Sequence, residues 1–428
     1  MKTLVKISWR NIWRNRTRSL IIIVAIVLGL MGGVFSAAVR LGTEQQQYTE
    51  AVENQISHIQ IHHPEFISNP EPGYFIPDGL SMAEEMTGHP KIRIASPRTV
   101  LDGMVASANM SAGVRIKGVN PETEAQTTSL DQLLTEGTYF KDNGRLPSVI
   151  IGERLAENLN AGVGSRIVLT FQDITGEIVS ASFRVEGLFA VSSTRFMERN
   201  VFVRSDVLSD FVGAGADTSG DFAGAYALSD FTGGDALVTE IAVLLHNSDD
   251  YRPMKEELQA KYPDTEVRHW ADLMPSLFFS LEFLDQSLIW LVGIIVLGVS
   301  FGLLNTILMS VLERVREFGV LMAIGMKKAR VFAMVVMETT MVSLIGGVIG
   351  VTLSWAMVER LNRTGLDLSG VGGEGMGEFG YASVIYPNID PGFYVEIIIV
   401  VLAFAVLAAI YPAWKAIRLL PAEAVRTE

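Results

Sequence analysis

The chain has 428 residues, 49% of them hydrophobic, with a mean hydropathy of +0.32 and a net charge of -13. That pairing excludes a single soluble globule, because the apolar residues have to be segregated from the charged ones. Cysteine is absent, which excludes disulfides, thiolate metal ligands, a thiol redox pair and a thiol lipid anchor.

Residues 1–19 carry six basic side chains (Lys2, Lys6, Arg10, Arg14, Arg16, Arg18) and no acidic one. Val5, Trp9, Ile12 and Trp13 share one helical face and Lys6, Arg10 and Arg14 another, as in an amphipathic helix lying on a membrane surface. Trp9, Trp13, Arg10 and Arg14 are its expected interface anchors. An uncharged run of twenty residues at 20–39 predicts a first transmembrane helix over 20–40, since about 20 residues cross the hydrocarbon layer. Ser36, Ala37 and Ala38 resemble a signal-peptide cleavage site, but the run exceeds the roughly 7–15 apolar residues of such signals, and a retained span is expected.

Residues 41–284 read as a large α+β domain outside the cytoplasm, with two subdomains expected. Alternation predicts strands at 56–61, 148–151, 166–171 and 181–189, and Leu155 and Leu159 mark a helix over 152–160. At about 240 residues such a domain can be held by its own core. Residues 211–235 are rich in Gly, Ala, Ser and Asp without a period, as in a surface loop. His58, Gln60 and His62 would share one strand face beside His63. No carboxylate or cysteine stands at ligand-like spacing, so a polar strand face is expected and no metal site.

Uncharged runs at 287–312, 339–358 and 397–414 predict three closing spans over 285–312, 329–358 and 395–414. Between them lie a cytoplasmic segment, 313–328, and an extracytoplasmic loop, 359–394, with seven glycines between 365 and 380; a cytoplasmic tail, 415–428, follows. The fold class is thus a membrane protein with four transmembrane helices, one before and three after a large α+β extracytoplasmic domain. Charge orients them. Segments 1–19, 313–330 and 415–428 together hold 14 basic and 4 acidic residues, whereas 40–286 hold 18 and 36, and 359–396 hold 2 and 6. The positive segments, and with them both termini, belong inside. Their charge suits anionic membrane lipids and does not imply nucleic acid. Gly29 and Gly33, Gly298 and Gly302, and Gly346 and Gly350 are small residues one turn apart, expected to let helices pack closely in a dimeric bundle. Glu338 would cost on the order of 3 kcal/mol at the bilayer centre, so it is expected near the inner interface or against a neighbouring helix.

Catalytic motifs are missing. There is no G-x-S-x-G elbow and no H-E-x-x-H, and none of the ten lysines follows a glycine, so no Walker A loop is present. The chain is expected not to be an enzyme and to bind no cofactor itself. Residues 313–325, ERVREFGVLMAIG, then stand out as a short segment, charged and then apolar, between two long hydrophobic runs, a pattern suited to a helix offered to a partner.

Two motifs resemble those of a known family. ERVREFGVLMAIGMKK (313–328) is similar to E-R-x-x-E-[IF]-G-[IV]-L-R-A-[LI]-G, and YPAWKAIRLLPAEAVR (411–426) to Y-P-[SA]-W-[KR]-A … P-[AV]-E-A-[LV]-R, both of the MacB, FtsX and lipoprotein-releasing LolC/LolE permeases, the type VII ABC transporters. A looser match, VIIGERLAENLNAGVGSRIVLT (149–170), resembles the strand, helix and strand of their outward domain, and with the topology the resemblance covers nearly the whole chain. Met322 stands where many relatives have arginine, and Met326 where a small residue is usual, which implies a more apolar contact. The resemblance implies that 313–328 is a coupling helix docking into a separate cytoplasmic ABC ATPase subunit, which carries the ATP and magnesium. Glu313, Arg314, Arg316 and Glu317 would make its polar contacts, Phe318, Leu321 and Ile324 its apolar anchor, with Gly325 at its end. It further implies a multi-pass protein of the cell inner membrane with a periplasmic domain, working by mechanotransmission with a second permease copy or paralogue. Release of lipoprotein cargo to a periplasmic carrier leads. The alternatives are MacB-like efflux of peptides or drugs with an outer-membrane partner, FtsX-like signalling to a cell-wall hydrolase and, in another class, a ligand-binding scaffold without an ATPase.

Overall fold

Apolar runs become helices and alternating runs become strands in the computed structural model of the chain, which describes residues 2–14, 16–140, 146–213, 237–368 and 384–418. Most of the loop expected at 211–235, most of the glycine-rich stretch at 365–380 and the tail motif beyond residue 418 lie outside the described residues. The chain divides into two units, one of Met1–Glu44, Ser280–Asp367 and Val384–Glu428, the other of Gln45–Phe279 and Leu368–Ser383.

From the N-terminus, α1 (Lys2–Arg14) is followed by α2 (Arg16–Tyr48), which continues as a π-helical stretch, Thr49–Ile56. The outward unit then alternates strands and helices: β1 (Ile59–His62), α3 (Gly79–Thr87), β2 (Ile92–Ala106), β3 (Ser111–Val119), α4 (Pro121–Thr128), β4 (Leu134–Gly137), β5 (Ser148–Gly152) and α5 (Glu153–Leu159). It continues through β6 (Arg166–Gln172), β7 (Ile178–Phe189), α6 (Thr194–Arg199), β8 (Asn200–Arg204), α7 (Ser205–Gly213), β9 (Glu240–Leu245), α8 (Tyr251–Lys261), β10 (Glu266–His269) and α9 (Trp270–Leu273). The closing helices are α10 (Pro275–Glu313), α11 (Val315–Ala323) and α12 (Lys328–Thr364); the short pair β11 (Leu366–Asp367) and β12 (Val384–Ile385) precedes α13 (Pro391–Arg418).

The ten strands β1–β10 form one mixed sheet in the order β10-β1-β9-β2-β3-β8-β5-β7-β4, with β6 pairing with β2 and β7. The expected subdomains therefore share a sheet. The reason is β2, whose 15 residues reach β9 through Ile92–Arg98 and β3 and β6 through the rest of the strand. Around the sheet lie three cores. One gathers Ile59, Ile61, Met86, Val243 and Leu258, a second Ile116, Ile151, Leu155, Phe183 and Leu208, and a third Phe140, Phe189, Met197 and Phe202.

A buried charge cluster also ties the sheet together. Arg98, on β2, makes a bidentate pair with Glu124 of α4 (Nε–Oε2 2.9 Å, Nη2–Oε1 2.8 Å) and reaches Glu240 of β9 with Nη1 at 2.8 Å. Burial raises the Glu240 carboxyl, but the Arg98 charge, with smaller help from His62, outweighs it and holds the group below its ordinary value. The histidines offered in sequence as candidate ligands are otherwise engaged. His58 Nδ1 accepts the Leu245 amide at 3.0 Å, His62 lies 3.1 Å from Gln60 Oε1, and His63 stacks on Tyr74.

The membrane unit obeys the opposite rule, apolar outside as well as in. Among the described residues three helical stretches are long and apolar enough to cross a membrane, Ser19–Ile56, Lys328–Thr364 and Pro391–Arg418. The remaining expected span, 285–312, falls within α10, several of whose side chains are outside the description. Along α13, Ile397, Val401, Ala405, Ala409 and Ala413 are buried at every fourth position, a narrow stripe that packs on α12. Gly346 and Gly350 of α12 meet Ile26 and Leu30 of α2, and a Cβ on Gly350 would lie 2.9 Å from Leu30 Cδ1. Gly33 is buried and Gly29 half-buried, whereas Gly298 and Gly302 face open space within the chain. Large exposed apolar side chains such as Val348, Leu353, Ile399 and Leu407 suit contact with lipid.

Lys117, on β3, is only 6% exposed and has a single long hydrogen bond, to the Gln55 carbonyl at 3.5 Å. Burial, reinforced by the Arg98 charge, pushes its ammonium down to about 8. The folded chain loses this proton before the unfolded chain does, so stability from this group rises between about pH 8 and pH 10.5. Lys117→Met is therefore expected to melt higher than the parent at pH 7, by on the order of 3 kcal/mol. The gain should shrink toward pH 10.5 in thermal melts of the detergent-solubilised chain; a difference independent of pH would contradict this account.

Candidate functional site

The segment between α10 and α12 is shaped by two local stops. Arg314, with φ -103° and ψ 10°, breaks the helical path after Glu313, and α11 starts at Val315. At its far end Gly325 adopts φ +99°, the left-handed region that suits glycine. The Met326 amide donates to the Leu321 carbonyl at 3.0 Å and the Gly325 amide to Met322 at 3.1 Å, the paired bonds of a Schellman stop. Gly325 is thus a helix terminator, and the sharp stop frees α12 to begin at Lys328.

Arg314 then decides how α11 faces. Its guanidinium lies 3.0 Å from Glu317 Oε2 and 3.0 Å from Glu338 Oε2 on α12, and it sits over the Phe318 ring at 5.2 Å. Glu317 also pairs with Arg14 of α1. Burial tends to raise the Glu317 carboxyl, but hydrogen bonds from Arg314 and Arg14 outweigh it and hold the group below its usual range. Burial likewise opposes the Arg314 charge, and Glu338 and Glu317 more than compensate. The expectation that Glu338 sits against a neighbour is met by Arg314 itself.

Two expectations for this segment change. Phe318 is 1% exposed and packs inside the chain's own bundle, so it cannot be an outward anchor. Leu321, Met322 and Met326 are partly buried against the same core, so the methionines do not make the outer contact more apolar. The apolar face turned outward is Ile324, 76% exposed, together with Val320, 50% exposed. Val320 escaped the sequence reading, although its spacing of four from Ile324 places both on one side of a helix. Exposed Arg316, Lys327, Lys328 and Arg330 lie around them in sequence, and Glu313 is exposed at the end of α10.

In α1, Ile12 is buried and the Ser8 hydroxyl lies 3.5 Å from the Met334 carbonyl, so this side packs on α12. Trp9 and Trp13 are exposed, with rings edge to face at 6.1 Å, and Arg10 is exposed as well. Ile12 therefore leaves the face it was expected to share with the tryptophans.

Two family descriptions match most of the chain. Residues 19–261 match a MacB-like periplasmic core domain and residues 289–421 an FtsX-like permease C-terminal region. A macrolide export ATP-binding/permease protein MacB of Psychrobacter cryohalolentis is 23% identical over 85% of this chain, which spans about half (52%) of that relative. A lipoprotein-releasing system transmembrane protein LolE of Haemophilus influenzae is 20% identical over 99% of both chains. Among solved structures, the periplasmic region of MacB from Actinobacillus actinomycetemcomitans is 12% identical, covering 54% of this chain and 95% of its own, with a TM-score of 0.35.

Removing Arg314 leaves the part-buried Glu338 carboxylate without its cation. Arg314→Gln is expected to lower stability by roughly 1–3 kcal/mol, and the double variant Arg314→Gln/Glu338→Gln by less than that single change. Thermal melts of the four forms check this, and purely additive effects would contradict the pairing.

Proposed function

The chain belongs to the family of ABC transporter permeases that join a MacB-like periplasmic core domain to an FtsX-like C-terminal permease region, and on that premise we propose that it works by mechanotransmission. Closure of cytoplasmic ATP-binding subunits around ATP and magnesium moves two copies of this chain, or this chain and a paralogue. The helices relay the movement to the periplasmic domain. The observation that carries this reading is α11, a short helix fixed on its inner side by Arg314 and Phe318 and presenting Val320 and Ile324 outward. Such an arrangement transmits force, because the docking face cannot turn without disturbing α1 and α12.

Continuous helices supply the relay. α10 has 39 residues, about 58 Å at about 1.5 Å per residue, nearly twice the hydrocarbon thickness. α2 and its π-helical continuation run without interruption from residue 16 to residue 56. Among the described residues the interior of the bundle is filled mostly by apolar groups such as Ile26, Leu30, Val342, Gly346 and Ala405, with the hydroxyls of Thr339, Ser343 and Ser354 buried among them. That favours a stroke over a pore.

For cargo, release of lipoproteins from the inner membrane is the leading reading, supported by the alignment with LolE along nearly the full length of both chains. The match of 19–261 to the MacB-like core domain supports a second reading, export with an outer-membrane partner. Both readings place the ATP-binding part outside these 428 residues, the termini in the cytoplasm and the large domain in the periplasm. Depletion discriminates between them: lipoproteins accumulate in the inner membrane under the first and not under the second.

The docking reading has a direct test. Co-purified with its ATP-binding subunit, Val320→Glu/Ile324→Glu is expected to lose the complex and at least about tenfold of permease-dependent ATP hydrolysis, since two charges replace the centre of the contact. Its melting temperature should stay near the parent's, because both side chains are exposed. An intact complex with unchanged hydrolysis would overturn the assignment.

A further inference from the structure

The outward unit contains an open cavity of about 650 Å³ that the transport reading leaves unused. Its volume falls in the range of small-molecule sites. Arg115 of β3 and Arg195 and Arg199 of α6 line it, with Ser193 and Asn200 as polar neighbours and Phe196 as an apolar wall. Spacing of four residues puts Arg195 and Arg199 on one side of their short helix, whose start is fixed by the Ser193 hydroxyl accepting the Phe196 amide at 3.3 Å.

The charge balance of this cavity runs against its surroundings. Residues 40–286 hold twice as many acidic as basic side chains, yet among the described residues the only carboxylate in the cavity wall is Asp102, neutralised by Arg115 in a bidentate pair (Nε–Oδ1 2.9 Å, Nη2–Oδ2 3.2 Å). Arg195 and Arg199 are exposed and form no ion pair among the described residues. Behind the wall stands a further cation. Lys117 Nζ lies 5.2 Å from the centroid of the Phe196 ring, and its one hydrogen bond goes to Gln55, which also lines the cavity. A nine-tenths buried ammonium with one long hydrogen bond for three donors adds positive potential in a region of low dielectric.

We propose that this cavity binds a phosphomonoester dianion through Arg195, Arg199 and Arg115. Two unneutralised guanidiniums match the charge of about -1.5 to -2 on a phosphomonoester at pH 7, more than a single carboxylate supplies. Planar guanidinium forks also suit the bidentate geometry of phosphate oxygens. Phe196 and Met274 give the organic part of the ester an apolar contact. The same headgroup chemistry occurs in a soluble phosphate ester and in phosphatidic acid.

The test uses the full chain with two probes. Glycerol 3-phosphate is titrated calorimetrically into the detergent-solubilised protein, and retention of phosphatidic acid over phosphatidylcholine is read by native mass spectrometry from nanodiscs holding both. Arg195→Gln/Arg199→Gln is compared with the parent and with Arg166→Gln, which alters an arginine of the same unit outside the cavity. A loss of about tenfold or more in the double variant, with Arg166→Gln at the parent's level and melting unchanged, supports the site. If the effect appears with glycerol 3-phosphate the source is soluble, and if only with phosphatidic acid it is the lipid headgroup. Absence of binding of both probes to the parent, or equal binding to parent and double variant, overturns the proposal.

Discussion

Arg314 is the point on which the cytoplasmic end of the membrane unit turns. Its guanidinium faces two carboxylates and an aromatic ring at once, Glu317 on its own helix, Glu338 on α12 and Phe318. A cation so placed is expensive to move, because each partner would be left part-buried and unpaired. Through Glu317 the constraint extends to Arg14 and so to α1. One side of α11 is therefore committed to the chain's interior, and only the opposite side is available to a partner. The burial of Phe318 and the exposure of Ile324 are two consequences of this one fixed orientation.

The outward unit meets a different requirement. Lacking cysteine, it is held by the three apolar cores and by one long strand, β2, that all parts of the sheet share. Charges buried in it are arranged in two ways. Arg98, Glu124 and Glu240 satisfy one another, whereas Lys117 has one long hydrogen bond, two aromatic faces and the charges of Glu240 and Glu124, which together do not outweigh its burial. A group held at such a cost next to an arginine-lined cavity is more readily understood as part of an electrostatic environment than as part of the packing.

How much of this was legible beforehand follows from the range of each interaction. Apolar runs and the strand alternation at 148–189 act within a few tens of residues; the strands there fall within a few positions of the expected ends, whereas α2 and α10 extend well beyond the apolar runs that predict them. The facing of α11 was not legible in the same way. Phe318, Val320, Leu321 and Ile324 put apolar groups on both sides of the helix, so periodicity alone does not choose the inner one; the choice is made by Glu338, 24 residues from Arg314. Arg98 finds its partners 26 and 142 residues away, and the arginines of the cavity come from one strand, β3, and one helix, α6, far apart in sequence. The family resemblance singles out 313–328 as a segment but distributes its contacts over both faces, because a motif records residues without recording which way they turn.

In the proposed mechanism the Val320 and Ile324 face of α11 is where an ATP-binding subunit docks. A chain without cysteine allows it to be tested at single positions. A lone cysteine is placed by Ile324→Cys, and the rate of maleimide labelling is measured in the permease alone and in its complex with the ATP-binding subunit. Rapid labelling is expected in the free permease and strong protection in the complex. Equal labelling in both, with the subunit demonstrably bound, would show that docking occurs elsewhere on the molecule.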